Sequence, residues 1–318
     1  MKTSNHLLRR LTAALLAAVL ALSIALPVFA SDDGDTIYIN SVSDLLSLAR
    51  NCAYDQWSVG KTVILQKDLS LEGMLWEPIP SFSGQFKGNG HTISDLTITG
   101  QYSPAGLFGI VEEQGSIESL SVRGVVSVSD SADTTTGGIV GVNHGTLINC
   151  QFTGVVTGDS EVGGIVGRNE SEGTIDHGTA RAIVTGKSST GGIAGYNLGA
   201  ITGCTNVGSI NTEYPEASLD TDGFTAKMVD YINNKMAAAD NDATNSVTNV
   251  ATDTGGIAGR SSGMILTSVN TGTIGYEHVG YNVGGIVGRT DGLVSGCVNQ
   301  GRVLGRKDVG GLSLIHIS

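Results

Sequence analysis

A five-residue phrase, Gly-Gly-Ile-(Val/Ala)-Gly, recurs along the chain and limits its fold more strongly than any other feature of the sequence. The copies begin at Gly137, Gly163, Gly191, Gly255 and Gly284. Three of the four intervals are 26, 28 and 29 residues, and the interval between Gly191 and Gly255 is 64. Repeats of roughly 20 to 50 residues are typical of solenoids, in which each repeat forms one turn. The long interval therefore predicts an insertion of about 36 residues within one turn.

Alignment on the second glycine of each phrase brings four further positions into register. Two of them hold large aliphatic residues and two hold small residues. The aliphatic columns are Leu147, Ile175, Ile201, Ile265 and Val294, and Val156, Val184, Ile210, Ile274 and Val303. The small columns are Cys150, Gly178, Cys204, Ser268 and Cys297, and Gly154, Ala182, Gly208, Gly272 and Gly301. Because stacked strands lie about 4.8 Å apart, matched columns predict equivalent strands that face a common interior.

The residue types of the repeat favour strands over helices. Val, Ile, Thr and Gly predominate, whereas a leucine-rich repeat needs a helical or Leu-rich segment in each copy. Glycine suits corners where the backbone has a positive φ or closely approaches another segment. We predict an all-β fold, a right-handed parallel β-helix (solenoid) with an N-terminal cap and one helical insertion. The cap and first coil would span residues 31–100, and the repeats residues 101–311.

The predicted cap contains an amphipathic helix and two tryptophans. Ser41 or Ser43 is a suitable N-cap for the helix. The expected first strands are Thr62–Leu65 and Leu69–Leu71. An open solenoid end exposes strand edges, which promote association between molecules unless another segment covers them. We expect Trp57 and Trp76 to fill this end; ligand binding by these aromatic side chains is the alternative.

A variant of the phrase, Gly106-Leu107-Phe108-Gly109, lies upstream of the regular copies. Together with those copies it resembles the GLUG motif of secreted and surface bacterial proteins, among them adhesin-like proteins and some immunoglobulin-A-cleaving metallopeptidases. Phe86–Ile93 and Leu96–Ile98 resemble the turn that precedes such repeats, so the resemblance covers about residues 36–311. The resemblance implies a β-helix and a surface function. The peptidases' zinc-binding pattern, His-Glu-x-x-His, is absent from the sequence, so their activity is not implied.

The two ends of the sequence depart from the repeat. Residues 1–30 combine basic residues, a sixteen-residue apolar stretch from Leu11 to Leu26 and a small-residue cleavage site, which predicts a signal peptide. No apolar run reaches the roughly 18 residues of a membrane-spanning helix, so no span is predicted in the mature chain. Residues 312–318 resemble the translation of a sequencing adapter, which predicts an artefact joined to a longer natural protein. We expect a secreted or cell-surface location.

The insertion, residues 211–253, has a helical pattern at its centre. Phe224, Met228, Ile232 and Met236 recur at steps of four and would form one apolar stripe on a helix. This stripe either packs on the solenoid wall or binds a partner, and its four residues are the candidate binding residues. The preceding Asp-Thr-Asp-Gly sequence, residues 220–223, is only part of a calcium loop, so no metal site is predicted.

Two further columns contain polar side chains and thiols. The polar column that follows the phrase consists of Asn143, Asn169, Asn197, Ser261 and Thr290. We expect a ladder of side-chain amides that satisfies turn backbone groups; a ligand-binding row is the alternative. Cys150, Cys204 and Cys297 lie two coils apart, about 9.6 Å, which is too far for an unstrained disulfide. We predict buried free thiols at these three positions and leave Cys52 open.

Charged residues show few catalytic patterns. The net charge of −12 argues against a nucleic-acid partner held by phosphate neutralisation. A polysaccharide-cleaving site on a β-helix needs carboxylates clustered with Arg or Lys on one exposed sheet face, and no column supplies them. Asp159 and Glu161, between two coils, have the spacing for one face but are only a single pair. The neighbours Asp176-His177 and Glu277-His278 are expected to point to opposite faces of a strand and to be solvated. Arg168, Arg260 and Arg289 share one column, but Tyr196 and Val142 interrupt a basic stripe there, so the sequence favours a solvated edge.

The sequence favours a non-enzymatic surface protein. We expect an exported, adhesin-like β-helix scaffold that binds a glycan or protein of a host or neighbouring cell through its loops and insertion. No catalytic residue and no cofactor are predicted. The alternative is a polysaccharide-degrading β-helix enzyme, a lyase or hydrolase, or the non-catalytic part of a larger secreted enzyme. Neither the ligand nor the oligomeric state follows from the sequence.

Overall fold

The computed structural model describes residues 35–54, 56–128, 134–212, 251–276 and 280–315. These residues contain 32 strands and one α-helix, Val42–Asn51. The chain from Ile37 onward belongs to one compact unit, and only residues 35 and 36 of the preceding unit are described. The all-β prediction is therefore confirmed for the described residues.

Each regular coil passes through four sheets in the same order, which we name sheets I to IV. Sheet I consists of Thr136–Gly137, Val162–Gly163, Ser188–Gly191, Thr252–Gly255, Tyr281–Gly284 and Lys307–Gly310. Sheet II consists of Ile79–Phe82, Phe108–Val111, Val140–Asn143, Val166–Asn169, Ala194–Asn197, Ala258–Ser261, Val287–Thr290 and Ser313–Ile315. Sheet III consists of Thr36–Ile39, Thr62–Leu65, Gln85–Lys87, Ser116–Glu118, Thr146–Ile148, Thr174–Asp176, Ala200–Thr202, Met264–Leu266 and Leu293–Ser295. Sheet IV consists of Leu69–Ser70, Thr92–Gly100, Ser121–Val128, Gln151–Thr157, Thr179–Thr185, Thr205–Asn206, Ser209–Ile210, Val269–Asn270 and Val298–Asn299.

Successive coils stack in parallel register, and the molecule is a parallel β-solenoid of about eight turns. Val156 lies opposite Val184 in sheet IV, and Leu147 lies opposite Ile175 in sheet III. The aliphatic columns predicted from the sequence are therefore the inward-facing columns. Burying large apolar side chains of this kind contributes about 1.5 to 3 kcal/mol each, so the stacked interior is the main source of stability.

The first two glycines of the repeated phrase are required by close approach of the backbone, not by positive φ. A Cβ atom on Gly163 would overlap the carbonyl oxygen of Val166 in its own coil. A Cβ atom on Gly164 would overlap the carbonyl oxygen of Gly192 in the next coil. The first glycine thus permits the corner within a coil, and the second permits two coils to stack at that corner.

The helix Val42–Asn51 lies at the N-terminal end of the described solenoid, as predicted for a cap. Ser41, not Ser43, is its N-cap: the Ser41 hydroxyl accepts a hydrogen bond from the Asp44 amide at 3.2 Å. Leu45 and Leu48 are buried in the core, so the amphipathic pattern was interpreted correctly. The expected strand at Leu69–Leu71 is one residue shorter, because it ends at Ser70.

Aromatic side chains fill the core near this end. Trp76 is buried, and its indole N–H donates a hydrogen bond to the Leu107 carbonyl oxygen at 3.1 Å. The cluster of packed phenylalanine rings consists of Phe82, Phe86 and Phe108. Trp57 is only half-buried and lies under the Lys61 ammonium at 5.3 Å from the ring centroid. Trp76 is thus a core residue, whereas Trp57 lies at the boundary between core and solvent.

Several predictions from the sequence fall on residues outside the described part. The signal peptide of residues 1–30 is among them, as is nearly all of the insertion, 211–253. Within the described residues, no helix has the length and apolar character needed to cross a membrane. The tail is partly described: Ser313–Ile315 pairs in parallel with Val287–Thr290, with a shift of register. The adapter origin of residues 312–318 stays a prediction.

Candidate binding face

The polar column on the inner side of sheet II forms a buried hydrogen-bonded ladder. The Asn143 side-chain amide donates to the Asn169 carbonyl oxygen at 2.8 Å, and the Asn169 amide donates to the Asn197 carbonyl oxygen at 2.8 Å. Asn197 continues the ladder to the Ser261 hydroxyl at 3.0 Å. The same amides bond turn backbone atoms, for example Asn169 Nδ2 to the Gly173 carbonyl oxygen at 3.0 Å. This geometry confirms the predicted structural ladder, because buried amides need such partners.

A second asparagine ladder, which sequence reasoning missed, lies on the inner side of sheet IV. Asn206 Nδ2 donates to Asn270 Oδ1 at 2.8 Å, and Asn270 Nδ2 donates to Asn299 Oδ1 at 2.8 Å. Each of these residues follows the small-residue column by two positions, which is the sequence signal that marks the ladder. Earlier coils carry Phe152 and Ala180 at this position, so the column changes from apolar to polar along the solenoid.

The outer side of sheet II carries a row of arginines and one tyrosine, which we call the Arg–Tyr stripe: Arg168, Tyr196, Arg260 and Arg289. These residues are direct register partners in four successive coils. The Arg168 and Arg260 guanidinium carbons lie 5.0 Å and 5.2 Å from the centroid of the Tyr196 ring. The tyrosine, interpreted from sequence as an interruption, therefore joins the arginines, because a cation is attracted to an aromatic face.

The arginines of the Arg–Tyr stripe differ in their counter-charges. Arg168 bonds two carboxylates, Glu161 Oε1 and Glu170 Oε1, each at 2.6 Å. Neither Arg260 nor Arg289 forms an ion pair with any residue that the structure describes. Arg260 is half-buried against Tyr196, and Arg289 is exposed. The stripe thus has one end bound by two carboxylates and one end whose two arginines form no ion pair with a described residue.

The carboxylates considered for catalysis, Asp159 and Glu161, are bound to basic side chains. Asp159 Oδ1 lies 2.6 Å from Lys187 Nζ, and Glu161 lies beside Arg168. Their side chains are mostly buried, with exposed fractions of 16% and 20%. Each carboxylate therefore holds a basic side chain.

The expectation that Asp176 and His177 point to opposite faces of a strand is wrong. The His177 Nδ1 atom lies 2.8 Å from Asp176 Oδ1. The strand ends at Asp176, and His177 has a φ of 52°, which turns the chain and brings the two side chains together. The imidazole is 63% exposed, so the pair lies at a solvated turn as expected. The similar pair Glu277-His278 lies outside the described residues.

The predicted binding residues of the insertion, Phe224, Met228, Ile232 and Met236, lie outside the described residues. The partial calcium loop at 220–223 lies outside them as well. Across the ranges that the structure does describe, no group of three or more His, Cys, Asp or Glu side chains is arranged to hold a metal ion.

All four cysteines are free thiols, as predicted for three of them. Burial raises the pKa of the Cys150 and Cys204 thiols to about 12 and that of Cys52 to about 11. Cys297 departs from the prediction because it is half-buried rather than buried. It belongs to the last described full coil, whose interior is less covered, and burial raises the pKa of its thiol as well.

The fold places the chain in the class of parallel β-helix proteins, and comparison with known proteins agrees. A crystal structure of a candidate immunoglobulin A1 protease from Bacteroides ovatus matches with a TM-score of 0.52 at 16% identity. The match covers 87% of this chain and 84% of that chain. At this identity the likeness shows the fold alone.

The relatives in sequence are much longer proteins. Halomucin of Haloquadratum walsbyi is 30% identical over 155 residues, which cover 45% of this chain and 2% of halomucin. A candidate Gly-rich membrane protein of Evansella cellulosilytica is 29% identical over 137 residues, which cover 31% of this chain and 16% of that protein. The chain therefore spans a small part of either relative. No family model matches the chain, so the GLUG motif remains a resemblance.

Proposed function

We propose that this chain is exported and acts at the cell surface as a rigid, adhesin-like scaffold that binds a glycan or protein of a host or neighbouring cell. The observation that carries the proposal is the unbroken stacking of the coils. Sheet II alone aligns eight strands in parallel, and its inner polar side chains bond one another from coil to coil. A stack of this kind resists bending, because every strand is hydrogen-bonded on both sides except at the ends.

The relatives support a surface location. One relative is by its name a Gly-rich membrane protein, and the name of the other, halomucin, refers to mucins. The predicted signal peptide of residues 1–30 would export the chain. On this proposal, the solenoid holds its loops and the insertion 211–253 at a distance from the cell, where Phe224, Met228, Ile232 and Met236 are available to a partner.

The decisive measurement is the location of the protein on intact cells that express the full gene. We expect an antibody against the solenoid to label unpermeabilised cells, and protease added outside to remove that label. A cytoplasmic protein of the same cells serves as the control and should survive the protease. Protein found only inside the cells would contradict the proposal.

A degradation screen separates the scaffold from a polysaccharide-degrading enzyme. The purified chain is incubated with acidic and neutral polysaccharides, and released ends are measured. We expect no release, because Asp159 and Glu161 are held by Lys187 and Arg168. Release that disappears in Asp159→Ala or Glu161→Ala would favour the enzyme instead.

A further inference from the structure

The free end of the Arg–Tyr stripe places two like charges directly opposite each other. Arg260 and Arg289 are register partners on adjacent strands, which lie about 4.8 Å apart. Like charges directly opposite each other in a sheet are destabilising. Arg168, at the other end of the stripe, has two carboxylate partners at 2.6 Å, whereas no described residue supplies an ion pair to Arg260 or Arg289. An anion that bridges the two guanidinium groups would remove this repulsion.

Tyr196 holds one of these guanidinium groups in place. Its ring lies between Arg168 and Arg260, and its hydroxyl lies 3.3 Å from the Ser262 hydroxyl. Since arginines approach the ring from both neighbouring coils, the ring itself is not available as a stacking platform for a ligand. Its role is to order Arg260 before a ligand binds, which lowers the entropic cost of binding.

One carboxylate of the chain, that of Asp291, lies close enough to this end of the stripe to interact electrostatically with both arginines. The pKa of Asp291 is held below its usual range by a hydrogen bond with Ser262 and, to a smaller extent, by the charges of Arg260 and Arg289. This positive potential exists although the chain as a whole carries a net charge of −12. The Asp291 side chain is exposed and forms no ion pair with either arginine in the described structure, so their N–H groups remain available.

We propose that an acidic polysaccharide, one that carries carboxylate or sulfate groups along its length, binds across Arg260 and Arg289 on the outer side of sheet II. Guanidinium groups bind such anions through two parallel N–H donors. The proposal rests on the proposed surface function and names the site and the ligand class.

An acidic polysaccharide fits this face better than an acidic peptide does. Peptides commonly bind sheets by adding a strand to a free edge. The strands that carry the two arginines are each paired on both sides. The strand of Arg260 lies between Ala194–Asn197 and Val287–Thr290. The strand of Arg289 lies between Ala258–Ser261 and Ser313–Ile315. The stripe therefore offers charged side chains in a row but no backbone edge. A polymer that presents a charge on each unit matches this arrangement without needing backbone hydrogen bonds.

The test measures binding of the purified full chain by calorimetry at about 0.15 M salt, where weak surface attraction is largely screened. The probes are polygalacturonate, dextran sulfate, neutral dextran and poly-glutamate. We expect one or both anionic polysaccharides to bind, and neutral dextran not to bind. The two anionic probes distinguish carboxylate from sulfate recognition. Arg260→Gln/Arg289→Gln should weaken binding at least about tenfold, because charge-assisted hydrogen bonds are lost.

A matched variant controls for total charge. Arg123→Gln/Arg181→Gln removes two exposed arginines from the outer side of sheet IV, where Thr153 separates them. This variant should keep affinity within about twofold. Arg260→Lys/Arg289→Lys retains the charge but loses the paired donors, so its affinity should fall between wild type and the Gln variant. Thermal melts verify folding of each variant, and bound polysaccharide should raise the wild-type melting temperature.

Several results would overturn this inference. One is poly-glutamate binding as tightly as the polysaccharides and with the same arginine dependence, which indicates an acidic protein partner. Equal losses in the two Gln variants would indicate unspecific attraction. If no anionic polysaccharide binds a chain that is nevertheless labelled on intact cells, the ligand inference fails and the surface function stands. If arginine-dependent binding is found but the protein stays inside the cell, the surface function fails and the site stands.

Discussion

The inner and outer columns of sheet II use the same strands in opposite ways. Asn169 and Arg168 are neighbours in sequence, yet the amide is buried in a ladder and the guanidinium faces solvent. An amide has both a donor and an acceptor, so stacking copies of it creates a hydrogen bond in each interval. A guanidinium has donors only, so stacked copies need an aromatic ring, a carboxylate or a ligand between them. Repeated amides therefore stabilise the interior, whereas repeated guanidinium groups on the surface create a candidate binding site.

The contrast between inner and outer columns predicts that a charged side chain is not tolerated in the interior of the solenoid. Ile193→Asp places a carboxylate at a fully buried position, and we expect a loss of about 5 kcal/mol in the free energy of unfolding. Denaturant titration followed by circular dichroism measures it. The outer control, Lys187→Gln, removes an ion pair whose lysine is 57% exposed, so it should cost less than about 1 kcal/mol. Equal effects of the two changes would mean that the columns do not face inward.

The inner ladder should weaken in proportion to the bonds removed. Asn169→Ala removes one of the two acceptors of the Asn143 side-chain amide and the donor to the Asn197 side-chain oxygen, so we expect a loss of about 3 kcal/mol. Ser261→Ala removes one acceptor at the ladder's next position and should cost about 1 kcal/mol. Chemical denaturation of both variants gives the comparison. Similar losses would show that the ladder does not act as a chain of bonds.

Alkaline pH tests the buried thiols. Cys150 and Cys204 have pKa values of about 12 in the folded chain, compared with an ordinary value of 9.0, so the neutral thiol is favoured by folding. Their contribution is complete below pH 9 and is lost as the pH rises towards 12, by about 1 kcal/mol for each thiol at pH 10. We expect the unfolding free energy of Cys150→Ala/Cys204→Ala to fall less between pH 8 and pH 10 than that of wild type. Parallel pH profiles would contradict this assignment.

The outer stripe should contribute least to stability. Tyr196→Leu removes the ring between two guanidinium groups and is expected to cost about 1 kcal/mol. Tyr196→Phe keeps the ring and loses only the contact of its hydroxyl with Ser262, so it should cost less than half as much. Thermal unfolding distinguishes the two. A larger effect for the phenylalanine variant would mean that the hydroxyl, not the ring, orders the stripe.

Part of the site could be anticipated and part could not. The amide ladder followed from one column of like residues, Asn143, Asn169 and Asn197. The second ladder was missed because its column holds Phe152 and Ala180 in earlier coils, so it does not repeat along the whole chain. From the sequence, the Arg–Tyr stripe was interpreted as interrupted because only similar residues were counted as one column. Tyrosine and arginine are dissimilar residues, yet the guanidinium cation and the aromatic ring attract each other.

Some details of local backbone geometry could not be predicted from the periodic pattern of the sequence either. The contact between Asp176 and His177 depends on the positive φ of His177, and nothing in the alternating pattern of a strand indicates that turn. The same applies to the capping residue, for which Ser41 and Ser43 were equally suitable in sequence. Such details depend on where a strand or helix ends, and one residue of difference changes which side chains meet.

The sequence itself determined the order of the coils, the inward-facing columns and the glycine corners, because a repeated pattern can bury its apolar face only by stacking on its own copies. Which charges are compensated was decided by the tertiary structure. Arg168 forms two ion pairs and Arg260 forms none with a described residue, because Glu161 and Glu170 lie within bonding distance of Arg168. That distinction depends on distances of a few ångströms between side chains that the corner of one coil brings together, and the spacing of these residues in the sequence does not specify the distances.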